Sequence, residues 1–105
     1  MILYHLTPAR NIPALGRQGL IPRHGVRAKR FGEPRPAIYC FASMDDLDEG
    51  LVNWLADEFP ETTRLALLEI DLPDTLAWER VAFEIQVFDP IPPAAIRIVS
   101  RDYGA

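Results

Sequence analysis

Three polar side chains with chemical potential lie inside otherwise apolar, strand-like stretches of this chain. His5 lies in the stretch 2–6, Tyr39 in 37–42 and Glu84 in 83–88. A carboxylate buried without a partner costs several kcal/mol, so we expect Glu84 either on an exposed face or in a cleft with partners. A fixed carboxylate of this kind can stabilise positive charge that develops in a transition state. The trio is therefore a candidate site.

Each member of the trio also has an ordinary structural interpretation. Glu84 and Gln86 have the two-residue period of a solvent-facing strand edge. His5 could be a strand-end imidazole bonded to a backbone carbonyl, and Tyr39 a core ring with its hydroxyl at the edge. The residue types alone leave both interpretations open.

Several other kinds of site are disfavoured by the sequence. Neither histidine has zinc-like spacing, so no metal site is predicted, and the single Cys40 in an apolar strand gives no convincing thiol site. Neither the Walker motif nor the Rossmann glycine motif is present, so a nucleotide would have to be held in another way.

Composition and charge indicate a globular protein with an uneven charge distribution. The 105 residues suit one domain, which we place at 1–105, and the 49% hydrophobic content suffices for a core. A lone cysteine and no apolar run near the roughly 20 residues of a membrane span favour the cytoplasm. The net charge is −4, yet the segment 23–35 is basic and offers a nucleic-acid contact. An acidic run follows it, which we interpret as a solvated helix face.

The local pattern predicts an α+β domain with a mainly antiparallel sheet and two or three short helices. Thr7 and Pro8 are expected to start the first helix, which runs over 9–18 and ends at Gly19. A second helix is expected over 44–59, with Ser43 and Asp46 in a capping box. Strands are expected over 2–6, 37–42, 64–72, 83–88 and 96–100, with 77–82 uncertain, and 21–36 is expected to be a long loop.

Three parts of the sequence resemble ADP-ribosyltransferase-like domains of the His-Tyr-Glu type. Such domains begin with a strand ending in Tyr-His-x-Thr and a helix closing in Gly-Leu. They carry a tyrosine on a later strand and a catalytic glutamate near the end. The matching segments are Leu3-Tyr4-His5-Leu6-Thr7 with 11–15 and Gly19-Leu20-Ile21-Pro22, then Ala37-Ile38-Tyr39-Cys40-Phe41-Ala42-Ser43, then Phe83-Glu84-Ile85-Gln86-Val87 with Pro90-Ile91-Pro92-Pro93-Ala94-Ala95-Ile96. The resemblance extends over the whole chain and includes tRNA 2′-phosphotransferases and, more closely, DNA-targeting ADP-ribosyltransferase toxins.

The resemblance implies a split antiparallel sheet and a site for NAD as substrate. It implies that His5, helped by Thr7, binds the adenosine-side ribose, that Tyr39 stacks on nicotinamide and that Glu84 holds the nicotinamide-ribose 2′-hydroxyl. His5, Tyr39 and Glu84 are then the catalytic residues. Candidates for the pyrophosphate are arginines, whose guanidinium groups suit it: Arg10, Arg23 and Arg27.

Three functions follow as alternatives. The leading one is an NAD-dependent ADP-ribosyltransferase with nucleic acid, contacted through the basic segment 23–35, as a candidate acceptor. The second is a weak or inactive dinucleotide-binding module, because Ala82 stands where many protein-modifying members have Glu or Gln. The third is a nucleic-acid-binding protein without an NAD site, which the net negative charge disfavours.

Overall fold

The computed structural model describes residues 1–23, 35–53 and 59–104, which form an α+β fold. The elements are β1 (Ile2–Pro8), α1 (Ile12–Gln18), β2 (Ile38–Cys40), α2 (Met44–Asn53), β3 (Leu65–Asp71), β4 (Trp78–Val81), β5 (Glu84–Val87) and β6 (Ile96–Ser100). Short 3₁₀ turns at Ala9–Asn11 and Pro93–Ala95 precede α1 and β6. The expected α+β class is thus confirmed, and all described strand pairs are antiparallel.

The strands form two antiparallel three-stranded sheets, in the orders β1-β3-β6 and β2-β5-β4. The sheets meet where Tyr4 of β1 and Phe41 exchange backbone hydrogen bonds of 2.8 and 2.9 Å. The N–H and C=O of Tyr4 both bond to Phe41, so they point toward β2. Alternate residues of a strand direct these groups to the same edge, and the N–H and C=O of Leu6 therefore point toward β2 as well. The ladder between β1 and β2 ends after this one bridge, and a gap opens beyond it.

Two groups of buried side chains hold these layers together. The larger group combines residues of both sheets, α1 and the segment before β6, among them Leu3, Leu15, Leu68, Ile85 and Ile91. The smaller group holds α2 against the sheets through Leu6, Phe41, Leu47 and Leu67. The two sheets therefore share one core rather than having one each.

The first helix ends as predicted and begins differently. The Gly19 N–H donates to the Leu15 carbonyl at 3.0 Å, and Gly19 adopts φ 70° and ψ −150°. Thr7 is not the N-cap, because β1 continues to Pro8 and a 3₁₀ turn follows. The first helical turn holds Pro13 instead, at a position where a missing N–H costs little.

The remaining elements follow the sequence pattern, with shorter bounds at several places. Ser43 caps α2 as predicted, since its Oγ accepts the Asp46 N–H at 3.1 Å. The uncertain segment 77–82 contains the edge strand β4. The strand expected over 37–42 has a three-residue ladder with single bridges at Ala37 and Phe41. Most of the expected loop 21–36 and the expected helical residues 54–58 lie outside the described residues.

No helix in the described part of the chain is long and apolar enough to cross a bilayer.

Candidate functional site

A cavity of about 330 Å³ lies where β1 and β2 separate, and α1 closes one side of it. Its polar lining includes most of the predicted site residues: His5, Thr7, Arg10, Arg23 and Tyr39. Ligand pockets in proteins measure roughly 300–1,000 Å³, so this one lies at the small end of that range. It is large enough to hold part of a nucleotide.

His5 lies at the end of the gap that is nearest the Tyr4–Phe41 bridge. Its Nδ1 lies 2.7 Å from the Tyr39 carbonyl oxygen, the group that would otherwise face Leu6 across a continued ladder. Since a carbonyl can only accept, Nδ1 carries the proton. Burial, with a smaller contribution from the charge of Arg23, lowers the pKa of His5 below its usual value, although the bond to Tyr39 opposes the shift. The imidazole is therefore neutral at pH 7, and its Nε2 is a hydrogen-bond acceptor.

The structural interpretation of His5, an imidazole bonded to a backbone carbonyl, is thus confirmed. It does not exclude a binding role, since the same residue lines the cavity.

Tyr39 and Glu84 share one face of the second sheet. Tyr39 pairs with Gln86 across the β2–β5 ladder, and directly paired residues point to the same side, as does Glu84 two positions along β5. Such diagonal neighbours lie roughly 7–8 Å apart, within reach of aromatic and long side chains. Tyr39 is 8% exposed and lines the cavity.

Glu84 is buried and lies outside the cavity that His5 and Tyr39 line. The solvent-face interpretation is wrong, because Glu84 is 1% exposed and Gln86 is 9% exposed. All four residues of β5 are buried, because Ile85 and Val87 lie in the shared core and α2 also packs against this strand. Glu84 does not line the cavity that contains His5 and Tyr39. The structure thus brings two of the three catalytic candidates into one cleft.

Thr7 is ordered by a neighbour that the sequence did not single out. Its hydroxyl accepts a hydrogen bond from Asn11 Nδ2 at 3.0 Å, and both residues line the cavity. The hydroxyl proton of Thr7 stays available to a ligand, because the bond to Asn11 uses an oxygen lone pair. The spacing of four residues across the 3₁₀ turn was the only local signal for Asn11.

The cavity is positively charged although the protein is acidic. Arg10 and Arg23 line it, and no carboxylate is present among its described lining residues. Backbone hydrogen bonds of 3.3 and 3.4 Å between Arg23 and Ala37 hold Arg23 at the rim. Arg27, the third arginine expected at the pyrophosphate, lies outside the described residues. An anionic ligand suits this site better than a cationic one.

The far wall of the cavity is formed by residues distant in sequence, Phe59, Pro60 and Thr63. They reach it because the Ala9 N–H donates to the Arg64 carbonyl at 2.8 Å, which ties the start of β3 to the end of β1. No local motif around 59–63 indicated this contact.

Metal and thiol chemistry gain no support. In 1–23, 35–53 and 59–104 no three histidine, cysteine or acidic side chains form a group that could hold a metal ion. Cys40 is fully buried, and burial raises the pKa of its thiol far above the usual range. The thiol is therefore protonated and inaccessible.

Comparison of the chain with protein-family models, curated proteins and solved structures gives no match.

Proposed function

We propose that this chain binds NAD in the cavity between β1 and β2 and transfers ADP-ribose from it. The observation that carries the proposal is the composition of that cavity. An imidazole acceptor, a tyrosine ring and two arginines line it, and no described carboxylate does. A dinucleotide presents ribose hydroxyls, a flat aromatic ring and an anionic pyrophosphate, which match these groups one by one.

The geometry suggests how the ligand would be held. Neutral His5 offers Nε2 to a ribose hydroxyl, which donates its proton in the bond. The phosphates would lie by Arg10 and Arg23, and the nicotinamide ring against Tyr39. The backbone N–H and C=O of Leu6, which face the gap, form a donor and acceptor pair suited to a carboxamide.

The reaction would break the bond between nicotinamide and the ribose C1′ carbon. The electron pair of that bond leaves with nicotinamide, and the sugar becomes positively charged until an acceptor oxygen or nitrogen attacks it and loses a proton. A carboxylate near the sugar stabilises this charge more in the transition state than in the ground state. Glu84 is the candidate for this task, since it shares a sheet face with Tyr39.

A second function, a dinucleotide-binding module without turnover, is favoured by one observation. Glu84 is 1% exposed and lies outside the cavity lining, so its carboxylate is shielded from a ligand bound there. In this alternative NAD binds through the same residues, and the glycosidic bond stays intact.

Calorimetry with NAD and measurement of released nicotinamide test both functions. We expect heat of binding for the wild type at near-millimolar NAD, and nicotinamide release that falls about a hundredfold or more in Glu84→Gln. Glu49→Gln is the matched control, because this exposed carboxylate lies on α2, lines neither the cavity nor the sheet face of Glu84, and should not affect turnover. Binding without release in the wild type would establish the second function. Absence of any heat with NAD would refute both.

A further inference from the structure

A second, open groove continues from the cavity along the start of β3. Its volume is about 520 Å³, and it is lined by Ala9, Arg10, Pro60, Thr62, Thr63 and Arg64. Three of these residues, Arg10, Pro60 and Thr63, also line the cavity. A ligand in the cavity and a second group in the groove would therefore be neighbours.

The groove presents hydrogen-bond donors and positive charge. Arg10 and Arg64 are set beside one another by the backbone bond from Ala9 to Arg64. Arg64 is oriented by its Nε, which donates to the Arg101 carbonyl at 3.2 Å, and its two terminal nitrogens make no hydrogen bond within the described residues. The hydroxyls of Thr62 and Thr63 add two more donors.

Two other arginines on the described surface are held in ion pairs, unlike the two that line the groove. Arg80 lies 3.3 Å from an Asp46 carboxylate oxygen, and Arg97 lies 3.0 Å from one of Glu69. In the described chain neither Arg10 nor Arg64 has such an ion pair, and no carboxylate lines the groove. Two neighbouring guanidinium groups without carboxylates favour an anion with several oxygens.

We propose that the groove binds a phosphate group, and that this phosphate belongs to the nucleic-acid acceptor whose nucleophile enters the cavity. The assignment of the phosphate to an acceptor rests on the proposed function. The pyrophosphate of NAD offers the same chemistry, and the experiment separates the two sources.

The test compares arginines that line different parts of the surface. Arg64 lines the groove alone, Arg23 the cavity alone, and Arg17 on α1 neither. The ligands are a labelled single-stranded oligothymidylate, followed by fluorescence anisotropy over a range of salt concentrations, and NAD, followed by calorimetry.

We expect Arg64→Gln to weaken oligonucleotide binding about fivefold and to reduce the slope of log affinity against log salt by about 0.7, the loss of one phosphate contact. Arg64→Lys should restore the salt slope because it keeps the charge. Arg23→Gln should weaken NAD binding, and Arg17→Gln should leave the affinities for both ligands unchanged.

The remaining outcomes are also decisive. If Arg64→Gln weakens NAD binding and leaves the oligonucleotide unaffected, the groove binds phosphate but the acceptor assignment is wrong. If Arg64→Gln and Arg17→Gln behave alike toward both ligands, the groove proposal is overturned. Oligonucleotide binding that depends on Arg64, in a protein that does not bind NAD, would support the groove and refute the proposed function.

Discussion

At the scale of single residues, His5 shows how one side chain can be structural and available to a ligand at once. Its Nδ1 replaces a backbone donor on the Tyr39 carbonyl, at the point where the two sheets separate. The remaining ring nitrogen carries no proton, because burial lowers the pKa of the imidazole. Protonation of His5 would convert Nε2 from an acceptor into a donor and add charge beside Arg23.

This state of His5 predicts a stability that depends on pH. The unfolded chain takes up a proton as the pH falls through about 6.5, whereas the folded chain resists it because its imidazole pKa is lower. The free energy of unfolding should therefore decrease from pH 7.5 to pH 5.5. Urea unfolding across this range should show the decrease in the wild type and its loss in His5→Asn, which keeps a side-chain donor.

The other imidazole provides the control for this measurement. His24→Gln removes it, and comparison of the two variants separates the contribution of His5 from that of the second histidine. If His5→Asn and the wild type lose stability equally as the pH falls, the neutral state of His5 does not contribute.

At the scale of elements, the clearest link between sequence and structure is the end of α1. Gly19 adopts φ 70° and ψ −150°, a region that is essentially restricted to glycine. A Cβ at this position would lie 1.9 Å from the Ile91 carbonyl oxygen. The same close approach lets Leu20 and Ile91 exchange hydrogen bonds of 3.0 and 2.9 Å, which fixes α1 beside the cavity.

Alanine substitutions at two glycines of this region should therefore have opposite effects. Gly19→Ala should lower the free energy of unfolding by about 3 kcal/mol, through backbone strain and the clash with Ile91. Gly16→Ala, inside α1 with no atom within 4 Å of the added Cβ, should raise it by about 0.5–1 kcal/mol. Denaturant titrations of both variants check this, and similar values for the two would contradict it.

Elements of this kind were predictable because their signals are local. The glycine stop of α1, the Ser43 cap of α2 and the strand β6 follow from neighbouring residues and were expected at or near their observed positions. The start of α1 was not, because Thr7 pairs with Ala66, and β3 is far away in sequence. A ladder partner outweighed the local capping preference.

At the scale of the whole molecule, the order of strands decides which candidate residues meet. His5 and Tyr39 come together because β1 and β2 touch at one bridge and then separate. Glu84 has the alternation of an exposed strand, yet it is buried because the shared core and α2 cover the faces of β5. This packing joins segments distant in sequence, so sequence reasoning could propose Glu84 for the site but could not predict its depth.

The shared core also predicts that the two sheets unfold together. Ile70 of β3 is fully buried in the same group of side chains as Ile85 and Val87 of β5, although these strands belong to different sheets. Ile70→Val should lower the free energy of unfolding by about 0.5–1.5 kcal/mol. The free energy of hydrogen-exchange protection should fall by the same amount for the slowest amides of β3 and of β5. Val99→Ala on β6 shortens a side chain that is 44% exposed, so it should change the free energy of unfolding and the exchange protection by less than about 0.5 kcal/mol. A loss confined to β3 would mean that each sheet unfolds separately, and that the cavity between them can open without global unfolding.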